Sequence, residues 1–206
     1  MSGSTLATTR RFLHGAAELL LAGPQYRASG RIELRVVNRG FATVATPTLK
    51  IAGDELITDS GRVGLQGRTY ADVAASAGIV AGAPAGVYDG GSRVRPDDVV
   101  TLDAGCLAAV LRAFEVGEAA LLTFAPTAER VLWPEHFDVA ITVDQVNYGV
   151  SPGDGHMAEP YAYVGPHEWR PGRFWNMSFG AARSLKELGD TAAVTQFFHT
   201  GQKLAH

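Results

Sequence analysis

Apolar side chains recur at helical spacing in four stretches of the chain, each preceded by a polar residue that can cap a helix. In the first stretch, Thr8 or Thr9 is the candidate cap, and Gly23 followed by Pro24 is expected to end the helix. Threonine or aspartate stands at the start of each of the others. The four helices are therefore predicted at residues 8–23, 69–78, 103–117 and 190–204.

A period of two, typical of half-buried strands, replaces the helical period elsewhere. Ile32, Leu34 and Val36 alternate with charged residues, and residues 38–40 are expected to turn the chain into a second strand. Strands are expected at residues 31–36, 41–45, 49–51, 55–58, 119–124, 138–144 and 161–164. We therefore predict a single α+β domain spanning residues 1–206, in which an antiparallel β-sheet is the scaffold and helices pack at its margins. Residues 78–91, rich in Gly, Ala and Pro, are expected to form a flexible loop within it.

Composition and charge narrow the class of protein. Hydrophobic residues make up 46% of the chain, which is enough for a folded core. The net charge of −3 offers no basic surface for nucleic acid. The single cysteine, Cys106, cannot form an internal disulfide and is expected to be a buried apolar residue. No signal peptide and no run of about 20 apolar residues is recognisable, so we expect a soluble, cytoplasmic protein that binds neither nucleic acid nor membranes.

The chemistry of the chain is concentrated in residues 133–169. This block holds three of the six histidines, two of the three tryptophans and many carboxylates. If strand alternation extends back from residue 144, then His136, Asp138, Thr142 and Asp144 lie on one face of a strand. The loop expected after that strand would bring further polar residues to its end: Asn147, Ser151, Asp154, His156 and Glu159. A functional site is therefore predicted at this strand end.

Residues 149–153 match the G-x-S-x-G pattern of a serine hydrolase, but the match fails on chemistry. The residue after the serine must donate its backbone N–H to the oxyanion, and here that residue is Pro152, which has none. The glycines and proline that follow also prevent the helix that such a nucleophile requires. We therefore interpret Ser151 as part of a tight turn.

A metal site is a second hypothesis. His136, Asp138, Asp154 and His156 supply imidazole and carboxylate ligands suited to zinc or non-haem iron. Their spacing matches no recognised ligand motif, so structural hydrogen bonding is the favoured interpretation of these residues. A divalent metal stays open as a cofactor.

A pocket for a small organic molecule is the third hypothesis, because aromatic residues are interleaved with polar ones between positions 133 and 175. His136 and Asp138 are expected to form a hydrogen-bonded pair and are the candidate catalytic residues. Arg170 and Arg173 are expected to pair with a ligand carboxylate or phosphate. The candidate ligand-binding residues are Trp133, Asn147, Tyr148, Asp154, Tyr161, Tyr163, Arg170, Arg173 and Trp175.

Three segments within residues 131–166 resemble a family of uncharacterised bacterial proteins. They are W-P-E-H-F-D, N-Y-G-V-S-P-G-D and E-P-Y-A-Y-V, and that family carries W-P-x-H-F-D, N-F/Y-G-x-S-P-G-D and E-P-Y-x-Y in the same order. No reaction is assigned to that family. The resemblance implies a shared site or a shared fold element.

The preferred hypothesis is thus binding of a small polar-aromatic or anionic ligand in a pocket lined by residues 133–175. The rivals are a metal-dependent enzyme and a protein-interaction module without a pocket. Whether the protein catalyses a reaction, and its oligomeric state, stay open from the sequence.

Overall fold

Ten strands form one antiparallel sheet in which almost every strand pairs with its neighbours in the chain. The computed structural model describes residues 3–206. The strands are β1 (Leu34–Val37), β2 (Gly40–Thr43), β3 (Lys50–Ala52), β4 (Glu55–Thr58), β5 (Gly61–Gly64), β6 (Val131–Trp133), β7 (Asp138–Val143), β8 (Val146–Ser151), β9 (Tyr161–Pro166) and β10 (Ala181–Ser184). Their order is β10-β9-β8-β7-β6-β1-β2-β3-β4-β5. This sheet and the helices against it confirm the predicted α+β class.

The helices are α1 (Gly3–Ala16), α2 (Gly23–Ser29), α3 (Tyr70–Ser76), α4 (Ala104–Phe124), α5 (Leu185–Leu188) and α6 (Thr191–Ala205), with a π-helical segment (Ala17–Ala22) joining α1 to α2. The predicted caps of α3, α4 and α6 are confirmed. Thr69, Asp103 and Asp190 each accept a hydrogen bond from the backbone N–H three residues later. None of the described helices is long and apolar enough to cross a membrane.

Gly23 and Pro24 do not end the first helix, contrary to expectation. In the π-helical turn the N–H of Gly23 donates to the carbonyl of Glu18, five residues back. The carbonyl of Leu19, freed by that shift, accepts instead from the N–H of Gly82 at 3.0 Å. The helix continues to Ser29 because the wider turn accommodates the proline. The N–H of Gly82, in a distant loop, supplies the hydrogen bond to Leu19 that the helix itself does not.

The predicted strand at residues 119–124 is also wrong, because α4 continues through Phe124. Gly117 was expected to end the helix, but it lies where α4 crosses the sheet. A Cβ there would come within 2.6 Å of a methyl group of Val139 and 2.8 Å of Cβ of Val150. The glycine permits close helix–sheet packing rather than a chain break.

The two faces of the sheet are chemically different. Val139, Val150 and Val164 point toward α4 and α6, since glycines on those helices lie against them. Strand alternation and the observed register then place Asp138, Gly149 and Tyr163 on the opposite face. The helices therefore pack across one face of this half of the sheet, not merely at its margins, and leave the other face to the candidate site.

Residues 146–151, expected as a loop, form strand β8 instead. Asp144 and Gln145, both with positive φ, make the two-residue turn that joins β7 to β8. Asp144 thus lies in a turn and not on the strand face shared with Asp138. The other strand predictions hold within a few residues, while β5, β6 and β10 were not predicted.

A long loop between α3 and α4 includes the predicted 78–91 segment and is anchored on the π-helical segment. The Glu18 side chain, 4% exposed, accepts hydrogen bonds from the Tyr88 hydroxyl at 3.0 Å and from the Ser92 N–H at 2.8 Å. The Ser92 hydroxyl donates to the same carboxylate at 2.5 Å. Cys106 is fully buried, as predicted.

Candidate functional site

A cavity of about 690 Å³ lies on the face of the sheet that the helices leave uncovered. Strands β7, β8 and β9 supply its floor, and residues 154–156 and 165–180 supply its walls. Because alternate residues of a strand share a face, the floor takes every second residue of each strand. The floor residues are Asp138, Asn147, Ser151, Tyr161, Tyr163 and Gly165, and the walls include His136, Asp154, His156, His167, Trp169, Arg170, Trp175, Met177, Ser178, Phe179 and Gly180.

Asp138 and Tyr163 form a hydrogen-bonded pair in this floor. The Tyr163 hydroxyl donates a short hydrogen bond to Oδ2 of Asp138. Asp138 is 6% exposed, and its other oxygen, Oδ1, has no hydrogen-bond partner among the described residues. Burial raises the pKa of Asp138, although the hydrogen bond from Tyr163 acts in the opposite direction. Burial and the neighbouring carboxylate raise the pKa of Tyr163.

Gly149 makes room for the Tyr163 ring. The two residues are directly opposed on β8 and β9. A Cβ on Gly149 would lie 2.5 Å from the tyrosine hydroxyl oxygen and 2.6 Å from two ring carbons. The ring therefore lies flat over a position without a side chain, and this sets the hydroxyl against Asp138. The first glycine of the G-x-S-x-G match thus has a packing role.

Asp154 organises the loop that forms one wall. Its Oδ1 accepts from the backbone N–H groups of His156 at 2.7 Å and Met157 at 3.0 Å. Its Oδ2 accepts from the Tyr161 hydroxyl at 2.5 Å. Burial and this contact raise the pKa of Tyr161. Both oxygens of Asp154 are therefore already engaged within the protein.

Ser151 behaves as a turn residue, as its sequence context indicated. Its side chain is buried, and its hydroxyl oxygen accepts from the Gly153 N–H at 3.1 Å. The chain continues from it into a loop and then β9, not into a helix. Arg10 of α1 supports the same loop by donating to the Ala158 carbonyl at 3.0 Å.

His136 lies in the turn between β6 and β7, where Phe137 has a positive φ that interrupts the strand alternation. Its side chain is 69% exposed, and its Nε2 lies 3.8 Å from a Glu135 carboxylate oxygen. The predicted hydrogen-bonded pair of His136 and Asp138 is therefore not formed, since Tyr163 is the partner of Asp138. His136 lines the cavity at its edge.

A histidine outside the predicted block supports this turn. His14 of α1 stacks on the Phe137 ring with centroids 5.0 Å apart, and its Nε2 lies 2.6 Å from the Pro134 carbonyl oxygen. Because a carbonyl only accepts, Nε2 carries the proton. Burial lowers the pKa of His14. Nothing in the local sequence pairs His14 with a turn 120 residues later.

Aromatic rings surround the cavity. Tyr161 and Tyr163 lie side by side with centroids 6.3 Å apart, and Phe179 meets Tyr163 edge to face at the same distance. Phe179 also contacts the His156 ring at 5.2 Å. Trp175 and the largely exposed Trp169 complete the walls. The arrangement combines aromatic surfaces with one incompletely paired carboxylate.

Three predicted ligand-binding residues lie outside the cavity. Tyr148 points to the helix face and packs against Phe124 and Phe198 at 4.6 and 5.9 Å between ring centroids. Trp133 lies on β6 beside a separate, smaller cavity, and Arg173 is exposed and does not line the main cavity. Tyr148 was misassigned because residues 146–151 are a strand, in which neighbours face opposite ways. The predicted residues that do line the cavity are His136, Asp138, Asn147, Asp154, His156, Tyr161, Tyr163, Arg170 and Trp175.

The residues that sequence analysis missed come mainly from positions 177–180. Met177 and Gly180 exchange backbone hydrogen bonds and form a tight hairpin just before β10. This hairpin places Phe179 against Tyr163. The segment N-M-S-F-G shows no alternation and no motif, so its place in the wall depends on the pairing of β10 with β9.

The four residues proposed as metal ligands do not form a metal site. Residues 3–206 contain no group of three or more His, Cys, Asp or Glu side chains arranged to hold a metal ion. Asp154 is engaged by its own loop, and His136 and His156 stand in separate wall segments. The geometry therefore does not support the metal-dependent alternative.

The three segments that carry the family resemblance all reach the cavity, since they contribute Asp138, the floor of β8 and the two tyrosines of β9. No family model matches this chain. No curated protein and no solved structure matches it either.

Proposed function

We propose that this protein binds a small polar-aromatic organic molecule in the cavity on the open face of β7–β9. The size of the cavity, about 690 Å³, lies within the range of about 300–1,000 Å³ typical of small-molecule sites. Its walls offer aromatic faces for stacking, and its floor offers a few fixed polar groups.

The observation that carries the proposal is Oδ1 of Asp138. A buried carboxylate oxygen without a hydrogen-bond donor is costly, and buried polar groups in native proteins are nearly always satisfied. Its partner oxygen is held by Tyr163, so the carboxylate is fixed in position. Because Oδ1 is itself buried, a ligand in the cavity reaches it as neighbouring side chains move aside, and a hydrogen bond donated there would remove the cost.

An anionic ligand, part of the original hypothesis, has less support than a polar-aromatic one. Arg170 is the one lysine or arginine in the lining, and it donates to the Ala205 carbonyl at 3.0 Å and to Glu168 at 3.1 Å. Arg173 does not line the cavity. Neither arginine is therefore positioned as a free partner for a ligand carboxylate or phosphate.

A fragment titration tests the proposal. The protein is mixed with a panel of aromatic fragments carrying hydroxyl, amide, amine or carboxylate groups, and the indole N–H signals of Trp169 and Trp175 are followed by NMR. We expect a subset of fragments to shift these two signals but not that of Trp133, because Trp133 lies outside the cavity.

The matched variants are Ser178→Trp and Ser60→Trp. Ser178 is an exposed residue of the cavity wall, so an indole there narrows the opening, whereas Ser60 lies in the distant β4–β5 turn. Ser178→Trp should weaken fragment binding and Ser60→Trp should not. If no fragment shifts the two signals, or if both variants bind as the parent does, the proposal is wrong.

A further inference from the structure

We infer that the cavity selects ligands with a cationic nitrogen, and that this nitrogen pairs with Asp138 while the attached ring stacks among the aromatic walls. The inference rests on the proposed binding function and narrows it to a chemical class, small arylalkylamines, whose amino group is protonated at neutral pH. It follows from three features of the cavity: the unpaired oxygen of Asp138, the two carboxylates in the lining and the aromatic rings around them.

The missing hydrogen bond calls for a donor. Oδ2 of Asp138 already accepts from Tyr163, and Oδ1 accepts from none of the described residues. In its ionised form the Asp138 carboxylate has no proton to offer, so the group that completes its hydrogen bonding must bring its own donor and favour that form. An ammonium group does so with three N–H donors, and its charge roughly doubles the strength of each hydrogen bond.

The balance of charge calls for a cation. Two carboxylates, Asp138 and Asp154, line the cavity, and the guanidinium of Arg170 is turned to Glu168 and to the carboxyl-terminal end of α6. His136, His156 and His167 are the remaining ionisable bases in the lining. A carboxylate ligand would bring a third negative charge beside Asp138 and Asp154, whereas a cation would meet an opposite charge in a region of low dielectric.

The aromatic walls favour the same class. Tyr161 and Tyr163 of the floor and Phe179 of the wall form a continuous run of rings, and Phe179 also contacts the His156 ring edge to face. The faces of such rings carry negative electrostatic potential and attract cations. The rings also provide surface for an aromatic body to stack on. A molecule that combines a ring with an ammonium group matches both the walls and the floor.

Three probes of nearly equal size and shape separate the alternatives: phenethylamine, phenethyl alcohol and hydrocinnamate. Each carries a benzene ring on a two-carbon linker and ends in a cation, a neutral hydroxyl or an anion. Dissociation constants are measured from the indole signals of Trp169 and Trp175. We expect phenethylamine to bind about tenfold more tightly than phenethyl alcohol, and hydrocinnamate to bind more weakly than either.

Asp138→Asn tests the residue. Asparagine preserves the size of the side chain and its acceptor for Tyr163 but removes the charge, so phenethylamine should lose its advantage over phenethyl alcohol. Asp144→Asn is the matched control, because Asp144 is an exposed turn residue at the other end of β7 and does not line the cavity. That variant should keep the preference for the amine.

The outcomes separate this inference from the proposed function. Hydrocinnamate or phenethyl alcohol binding as tightly as phenethylamine, or an unchanged preference in Asp138→Asn, overturns the inference while binding in the cavity stands. So does failure of all three probes in a protein that binds other aromatic fragments there. Failure of every fragment overturns the proposed function itself.

Discussion

At the scale of single residues, the position of the Tyr163 ring in the cavity floor depends on a glycine. Gly149 lies opposite Tyr163 on the neighbouring strand, and the tyrosine ring occupies the space that any side chain at position 149 would take. This packing fixes the hydroxyl against Asp138. A residue with no side chain thus makes room for the tyrosine that donates a hydrogen bond to Asp138.

Gly149→Ala should therefore displace the ring and destabilise the protein. The added methyl group would overlap Tyr163, and overpacking of this kind costs about 1–3 kcal/mol. Urea unfolding measures the loss of free energy of unfolding, and fragment titration measures the accompanying loss of binding. Gly155→Ala is the control, because a Cβ at that position meets nothing within 4 Å. If both alanine variants are equally stable, the ring does not depend on Gly149.

At the scale of elements, the π-helical segment links the amino-terminal helix to the loop between α3 and α4. Its wide turn frees the Leu19 carbonyl for Gly82, and Glu18 within it accepts three hydrogen bonds from Tyr88 and Ser92. Gly91 passes so close that a Cβ there would lie 2.1 Å from a Glu18 oxygen. A loop rich in glycine and proline is thereby held against the helix by a buried carboxylate.

Glu18→Gln should release this loop. The amide nitrogen of glutamine cannot accept a hydrogen bond, so a buried donor of Tyr88 or Ser92 loses its partner, which costs about 1–3 kcal/mol. We expect faster trypsin cleavage after Arg93, detected by mass spectrometry of the fragments. Glu129→Gln removes an exposed carboxylate and should leave cleavage at Arg93 unchanged. Equal cleavage rates in the two variants would show that Glu18 does not hold the loop.

At the scale of the whole molecule, the two faces of the sheet differ: one packs against helices and the other carries the candidate site. One face of β7–β9 packs on α4 and α6 and supplies core residues such as Tyr148. The other face forms the floor of the cavity and holds the buried carboxyl of Asp138. Because that carboxyl is desolvated in the folded state alone, its ionisation is coupled to global unfolding.

The stability of the protein should reflect this coupling. Burial raises the pKa of Asp138, so the folded protein retains this proton to a higher pH than the unfolded chain, whose aspartates titrate at about pH 3.9. Between the two values the folded state binds more protons, and stability from this group therefore falls as pH rises. Asp138→Asn should be more stable than the parent at neutral pH, and the difference should shrink toward about pH 4.

Urea unfolding of parent and variant at a series of pH values measures this difference directly. Other titrating groups, such as His14, contribute equally to both proteins and cancel. Asp144→Asn, which removes an exposed carboxylate from the same hairpin, should show no gap that grows with pH. A constant difference between parent and Asp138→Asn at every pH would mean that Asp138 does not titrate as its burial indicates.

Local signals predicted a good part of the fold. The capping side chains of Thr69, Asp103 and Asp190 make their hydrogen bonds within one turn of helix, so the sequence around each is sufficient to place a helix start. The alternation along β1 and β7 likewise predicts half-buried strands, and the residues that line the cavity lie in the stretch after position 133, where the unusual residues are concentrated.

The sequence by itself thus determined the α+β class and most element positions, because caps, turns and alternation act over a few residues. Only the tertiary structure decided that Gly117 and Pro24 lie within continuous helices, since the contacts that explain them come from β7, β8 and the distant Gly82. It also decided which way each residue of β8 faces. Tyr148 and Gly149 are neighbours on β8 and face the core and the cavity side respectively. Which of the two faces the core depends on the register of β8 with β7 and β9, and the sequence of one strand does not specify that register.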